Sequence, residues 1–152
     1  MKIAKFKSPL IVSTGKKTFT LNLNRYRNTH YRASNVAKKN YKDFMSEQIL
    51  KLKKKLGTSI FIYTVYKGDN RRFDIGNICA IHQKFFEDAI VELNRLEDDK
   101  ADIIPMVIYV YGGIDVDNPR VEIEVLPLTR KNITKIKTHI NNVVEEVADG
   151  VM

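Results

Sequence analysis

Polar residues interrupt an otherwise apolar stretch in the middle of the chain, and their chemical types suit a divalent cation. They stand before, within and after one predicted helix: Asp74, Asn77, Lys84, Asp88, Asp98 and Asp99. Hard cations such as Mg²⁺ take several oxygen ligands from separate elements of a fold. If the side chains on the two sides of this helix converge on one cation, the set has the composition that a metal-dependent phosphodiesterase needs.

Three of these residues share one face of the predicted helix. Lys84 follows Asn77 by seven positions and Asp88 follows Lys84 by four, close to whole turns of an α-helix. Asp74 stands at the head of the same stripe. An alternative without a metal remains open, in which Asp74 is only an N-cap and Lys84 and Asp88 form an exposed ion pair.

The acidic pair Asp98 and Asp99 also has two interpretations. With Glu97 and Lys100, it is equally typical of a solvated acidic turn. Convergence of the loop before the helix with the loop after it would instead make these two acids metal ligands.

Charge is distributed unevenly along the chain, which carries a net +8. The first 56 residues contain 15 Lys or Arg against 2 acids, a net of +13, while the remainder contains 11 against 16, a net of −5. Such a division is expected if one part of the protein grips a polyanion and another part binds a cation beside it.

Two basic segments are predicted to contact DNA. The side chains assigned to phosphate contacts are Arg25, Arg27, Arg32, Lys38, Lys42, Arg71 and Arg72. Arginine forks hold phosphates bidentately, and Tyr26, His30 and Tyr31 in the first segment suit stacking on unpaired bases. The exposed lysines have the simpler alternative role of keeping the protein soluble.

The composition predicts one globular domain over residues 1–152, with 43% hydrophobic and 29% charged residues. The single cysteine, Cys79, cannot form an intramolecular disulfide, and we expect a buried structural thiol in a cytoplasmic protein. No apolar stretch has the length of a membrane span, and His30, His82 and His139 lack the spacing of a zinc site.

Hydrophobic periodicity and turn residues predict the element order β-β-α-β-α-β-β-α. The predicted elements are a hairpin of residues 11–14 and 18–24, a helix 34–56, a strand 59–66, a helix 75–95, strands 106–111 and 121–126, and a helix 133–147. Residues 25–34 are predicted to form a loop, and Gly112 and Gly113 a turn. This order favours an α+β domain with a mixed sheet and helices packed mainly on one face.

Several short motifs together resemble the RusA family of Holliday-junction resolvases. They are the segments 72–77 (RFDIGN), 84–90 (KFFEDAI), 96–99 (LEDD), 21–28 (LNLNRYRN) and 119–125 (PRVEIEV). The likeness covers about residues 22–125, with the motifs in the same order. It implies a RusA-like fold and a homodimeric, Mg²⁺-dependent endonuclease, with Mn²⁺ as an alternative cation, that resolves four-way DNA junctions by paired nicks.

The resemblance also implies roles for individual residues. Asp74, Asp98 and Asp99 would be metal-binding catalytic acids, and Lys84 the catalytic lysine. Asn77 would position a carboxylate through its amide.

Two departures from the family pattern bear on activity. Gly76 replaces the family's second acid, and Lys84 lies about one helical turn later than in the founding pattern. The missing ligand would come from Asp88, from the acidic pair or from Asp115, unless the site holds a single metal or is inactive. The alternatives are a non-catalytic DNA-binding protein on the same scaffold and a basic interaction protein of a replication or packaging assembly.

Overall fold

A mixed four-stranded sheet forms the centre of the structure, a computed structural model that describes residues 1–152. A two-stranded hairpin and four α-helices accompany the sheet. In chain order the elements are β1 (Ala4–Ser8), β2 (Ile11–Ser13), β3 (Thr18–Thr20), α1 (Leu23–Arg27), α2 (Tyr31–Leu50), β4 (Ser59–Lys67), α3 (Ile75–Glu92), β5 (Met106–Ile114), β6 (Arg120–Pro127), a 3₁₀ turn (Arg130–Asn132) and α4 (Ile133–Val151).

The strands lie in the order β1-β6-β4-β5, with β2 and β3 as a separate hairpin. Strand β4 pairs antiparallel with β6 and parallel with β5, and α3 makes the crossover between the two parallel strands. Because β4 is central and covered on both faces, its sequence is a nearly continuous apolar run, as the strand prediction required.

Alternate residues of β4 enter two separate cores. Phe61, Tyr63 and Val65 belong to the larger core, which lies between the sheet and the helices α2 and α3. Ile60 and Ile62 face the opposite side, where they pack with residues of α4. The α+β class with a mixed sheet is therefore confirmed, and α4 is the one helix that covers the second face.

Two short elements were not predicted. Strand β1 pairs with β6, but only Phe6 and Ser8 of it are buried, so it has almost no hydrophobic period to detect. Helix α1 lies where a loop was expected, and it is capped by Asn22, whose side chain accepts a hydrogen bond from the Arg25 backbone at 2.7 Å. A helix of one turn is too short for periodicity to reveal.

The bounds of the first long helix also differ from the prediction. The helix was predicted to begin at residue 34, but α2 begins at Tyr31 and His30 is its cap, with a side chain that accepts from the Arg32 backbone. The Ser34 hydroxyl instead donates to the His30 carbonyl at 3.1 Å inside the helix. The helix ends before Leu56, whose backbone N–H donates to the Arg95 carbonyl at 2.9 Å.

Gly112 and Gly113 lie within β5 and not in a turn, so that prediction was wrong. The register between β4 and β5 shifts at this point, since Val65 pairs with Tyr111 and Tyr66 pairs with Gly113. Gly113 has a φ of 105°, and a Cβ at Gly112 would lie 2.7 Å from the Tyr66 ring. The two glycines thus form a bulge that only residues without side chains allow.

Candidate functional site

An open cleft of about 670 Å³ lies at the N-terminus of α3. Helix α1, the segment before α3 and strand β5 enclose it together with the first turns of α3. Its polar lining consists of Asn24, Arg27, Arg72, Asp74, Asn77 and the Tyr109 side chain. The cleft therefore gathers residues that the sequence analysis took from two separate basic segments and from the head of the predicted metal site.

Asp74 is the N-cap of α3, as the alternative without a metal predicted. Its Oδ1 accepts a hydrogen bond from the Gly76 backbone at 2.9 Å. The Oδ2 atom accepts no hydrogen bond within the chain, and the exposed carboxylate makes no ion pair. The helix dipole favours negative charge at this position, and one carboxylate oxygen is free for a ligand.

Two arginines beside Asp74 also have unsatisfied charge. Arg27 at the end of α1 and Arg72 before α3 line the cleft, and neither forms an ion pair with an acid of the chain. Guanidinium groups bind phosphate oxygens bidentately. A cleft lined by two free guanidinium groups and a free carboxylate oxygen would suit a phosphodiester, and Asp74 would be the residue that holds a cation there.

Asn77 holds the wall of the cleft together. Its Oδ1 accepts a hydrogen bond from the Asn24 backbone at 3.2 Å, which fixes α1 against the first turn of α3. The amide oxygen is therefore occupied by α1. The expected contact between this amide and a carboxylate is not present in the structure.

Lys84 and Asp88 lie on the predicted stripe, which faces α1 and α2. The Lys84 ammonium is 6.0 Å from the centre of the Tyr26 ring and is exposed. The alternative without a metal required an ion pair between Lys84 and Asp88. Asp88 instead pairs with Lys38 of α2. At 1.5 Å per residue, Asp88 is about 21 Å and Lys84 about 15 Å along the helix axis from Asp74.

The second half of the predicted metal site lies at the far end of α3. Asp98 accepts from the Asp99 backbone at 2.8 Å and pairs with Lys100 at 3.3 Å, and the two contacts lower its pKa, the backbone hydrogen bond more than the lysine. Both contacts of Asp98 are thus made within the segment itself, and Asp99 is exposed. Asp74 precedes the first residue of α3 and the acidic pair follows its last, so the 18-residue helix separates them in the chain.

The expected convergence within one chain was therefore wrong. No three His, Cys, Asp or Glu side chains come together as ligands for a metal ion. Asp115, another predicted substitute for the acid missing at Gly76, pairs with Arg120 at 2.8 Å. Residues before and after a helix converge only when the chain returns to the same end of the sheet, and here the parallel pairing of β4 and β5 prevents it.

The predicted DNA-binding residues fall into two groups. Three of them are held in ion pairs: Lys38 with Asp88, Lys42 with Glu92 at 2.9 Å, and Arg71 with Asp69 at 2.8 Å. Four others form no ion pair within the chain: Arg25, Arg27, Arg32 and Arg72. The second group remains available to bind phosphates.

The aromatic residues of the first basic segment also differ in their surroundings. Tyr26 is half-buried, and its ring lies edge-on 6.1 Å from that of Phe85, so it belongs to the core. Tyr31 is 62% exposed, with the His30 ring at 4.6 Å and the Arg32 guanidinium at 5.9 Å. Of the predicted stacking residues, His30 and Tyr31 are exposed to a base and Tyr26 is not.

A buried carboxyl group on α3 was missed by the sequence analysis. Glu87 accepts a hydrogen bond from the Tyr63 hydroxyl at 3.4 Å, and burial together with the Asp99 charge raises its pKa to about 7. It lies in a run of buried apolar residues, where one acid gives no periodic signal. The only signal in the sequence is the position of Glu87, since it is an acid on the core-facing side of the helix.

Cys79 is buried as predicted, and burial raises the pKa of its thiol to about 12. No helix in the structure combines the length and apolarity needed to cross a bilayer. The chain matches no protein-family model and no curated protein, so the RusA resemblance rests on the residues quoted above.

Proposed function

We propose that this protein is a Mg²⁺-dependent endodeoxyribonuclease that cuts branched DNA and acts as a homodimer in the cytoplasm. The observation that carries the proposal is the cleft that Arg27, Arg72 and Asp74, with its free Oδ2, line together. The RusA-like motifs include Asp74 and Arg72, and they supply the reaction class and the junction substrate.

The donor set fits Mg²⁺ with the DNA phosphate as co-ligand. Mg²⁺ keeps several waters and is commonly bound by one or two carboxylates together with substrate phosphates. Asp74 supplies one such carboxylate at the cleft. When bound, the ion supplies an activated water and neutralises charge on the scissile phosphate. Mn²⁺ has the same oxygen preference.

The chain's own residues bind and orient the DNA. Arg27 and Arg72 bind DNA phosphates at the cleft that Asp74 also lines, and Asn77 keeps α1 and its Arg27 in place through the Asn24 backbone. Lys84 is exposed, has no acidic partner and neutralises charge further along the same helix. Phosphate contacts carry little sequence information, so branch shape is the main selector.

Asp98 and Asp99 enter the reaction only through a second copy of the chain. Both follow the last residue of α3, whereas Asp74 precedes its first, so the 18-residue helix lies between them in the chain. A cation bound by acids from both ends of this helix must therefore lie between two chains. A two-fold dimer contains two such positions, which is the number that paired nicks require.

The proposal is tested by a matched pair of substitutions. Asp74→Asn removes the carboxylate in the cleft and keeps a cap for α3, whereas Asp69→Asn removes a nearby acid that pairs with Arg71. We expect Asp74→Asn to lower cleavage of a four-way junction by at least about 100-fold without weakening junction binding. The Asp69→Asn variant should cleave normally. Unchanged Mg²⁺-dependent cleavage by Asp74→Asn would contradict the site.

A second candidate function is DNA binding without cleavage. It is favoured by the ion pairs of Asp88, Asp98 and Asp115, which leave Asp74 without a neighbouring acid in the same chain. This candidate predicts salt-sensitive junction binding and intact strands in Mg²⁺ or Mn²⁺.

A further inference from the structure

A second pocket, of about 320 Å³, lies beside the cleft, and we call it the Lys67 pocket. Arg72, Phe73 and Asn77 line both, so the two share a wall. The cleft contains the carboxylate of Asp74, whereas no acid lines the Lys67 pocket. The polar residues that line this pocket are Thr20, Asn22, Lys67, Arg71, Arg72 and Asn77.

Lys67, the last residue of β4, is half-buried and has no acidic partner. Its ammonium lies 5.0 Å from the centre of the Phe73 ring. Arg72 on the same pocket wall forms no ion pair either. Two cations without an acid, one of them partly withdrawn from water, attract an anion to the space between the walls.

The acids of the neighbouring loops do not neutralise this pocket. Asp69 pairs with Arg71 at 2.8 Å, and Asp115 pairs with Arg120 at 2.8 Å. Asp117, the unpaired acid of the loop after β5, is exposed and does not line the pocket. The pocket therefore keeps a net positive charge.

The two asparagines of the pocket present hydrogen-bond donors. Asn22 Oδ1 accepts from the Arg25 backbone N–H at 2.7 Å, and Asn77 Oδ1 accepts from the Asn24 backbone N–H at 3.2 Å. Because a backbone N–H only donates, these two bonds fix which end of each amide is the oxygen. The free groups of both side chains are the NH₂ donors. Ammonium, guanidinium and amide donors together suit the oxygens of a phosphate.

We propose that the Lys67 pocket binds a second phosphodiester group of the DNA strand whose scissile phosphate lies in the cleft. Every nucleotide of a strand carries a phosphate, so a strand that crosses the cleft brings further phosphates to the adjoining surface. The cleft provides an acid for a cation, whereas the Lys67 pocket binds its phosphate by donors alone. This inference rests on the proposed function for the identity of the polyanion, and it adds a site that fixes the path of the strand.

The first experiment measures binding of a labelled four-way junction in chelator, where no strand is cut, by fluorescence anisotropy. Lys67→Met removes the charge and keeps a side chain that can pack on Phe73. We expect about tenfold weaker binding at low salt and a slope of log affinity against log salt that is smaller by about 1. Lys67→Arg should keep the wild-type values.

The matched control is Lys137→Met, which removes an exposed, unpaired lysine from α4 on the other face of the sheet. This control should bind like the wild-type chain. A Lys67→Met variant with the same affinity and slope as the control would overturn the proposal.

A second experiment identifies the phosphate that Lys67 contacts. Junctions are made in which one phosphate at a time is replaced by a neutral methylphosphonate. At one position the wild-type chain should lose affinity while Lys67→Met loses no more than it already has, and at the other positions both proteins should lose affinity equally. Equal losses at every position would overturn the proposal.

Inorganic phosphate distinguishes a strand phosphate from a free one. At constant ionic strength, we expect inorganic phosphate to displace the junction equally weakly from the wild-type chain and from Lys67→Met. Stronger displacement from the wild-type chain would overturn the strand site and favour a site for free phosphate. Because these measurements need no metal, a phosphate contact in a protein that never cuts would overturn the nuclease alone. Cleavage without this contact would overturn the Lys67 pocket alone.

Discussion

Asp74 and Asp99 lie at opposite ends of α3, one directly before its first residue and the other beyond its last. The parallel pairing of β4 with β5 fixes this separation, since the chain leaves one end of the sheet and returns at the other. In the function proposed above, the acids of the RusA-like motifs form one site that two chains build together.

Mixing two inactive variants tests whether the site is shared. Asp74→Asn and the double variant Asp98→Asn/Asp99→Asn should each fail to cut a four-way junction. A mixed dimer retains one complete site, with Asp74 from one chain and the acidic pair from the other, so the mixture should regain nicking of one strand. The control is the Asp74→Asn variant alone at the same total protein concentration, which should stay inactive. Two inactive variants that stay inactive after subunit exchange would contradict a shared site.

Restoring an acid at Gly76 should strengthen metal binding. A Cβ at Gly76 would lie 3.4 Å from Asp74 Oδ1, an ordinary contact, and the residue is in the first turn of α3. Gly76→Asp therefore places a second carboxylate beside the first. We expect the Mg²⁺ dissociation constant, measured by calorimetry without DNA, to fall on the order of tenfold. Gly76→Asn is the uncharged control, and an equal effect of both variants would argue against a metal at Asp74.

Adjacent arginines should differ in their contribution to DNA binding. Arg72 lines the cleft without an acidic partner, whereas Arg71 is paired with Asp69 at 2.8 Å. Arg72→Ala should weaken junction binding and reduce the slope of log affinity against log salt by about 1, since one phosphate contact is lost. Arg71→Ala should change the slope less. Salt titrations of both variants by fluorescence anisotropy measure the difference, and equal slopes would contradict it.

The elements with a strong hydrophobic period were predicted from the sequence. The prediction failed where tertiary contacts decide the structure. The spans of β4 and α3 follow from an apolar run and a repeat of three to four residues. The stripe of Asn77, Lys84 and Asp88 was also correct, because spacing fixes the face of a helix. The ion pair between Asp88 on that face and Lys38 of α2 depends on tertiary packing, which no local sequence pattern contains.

The candidate site was predicted in part for the same reason. Asp74 was found as a cap and a candidate ligand because both roles use the residue before a helix. Its neighbours Arg27 and Tyr109 come from distant segments, and only the packing of α1 and β5 around α3 brings them to the cleft. The sequence motifs include the residues at both ends of α3. They do not show that β5 runs parallel to β4.

Two buried groups should give opposite pH dependences of stability. Burial lowers the pKa of His82 from 6.5 to about 3, so stability is lost as pH falls below 6.5. Burial raises the pKa of Glu87 from 4.5 to about 7, so stability is lost as pH rises above 4.5. Between pH 4.5 and 6.5 the two effects oppose each other, each about 1.4 kcal/mol per pH unit.

Glu87→Gln separates these two contributions. Without the acid, the free energy of unfolding should fall with acidification from pH 6.5 to 4.5, since His82 is then uncompensated. Urea denaturation across this range measures the slope. The wild-type chain should show a much flatter profile, and identical slopes for both proteins would contradict the raised pKa of Glu87.

The measurement that tests the central claim most directly is strand mapping of wild-type cleavage on a synthetic four-way junction. Each of the four strands is labelled in turn, and products formed in Mg²⁺ or in chelator are resolved on a denaturing gel. We predict paired, symmetrically placed nicks that depend on Mg²⁺ or Mn²⁺. A junction that is bound at low salt but whose strands all stay intact in both ions would contradict the nuclease and favour DNA binding without cleavage.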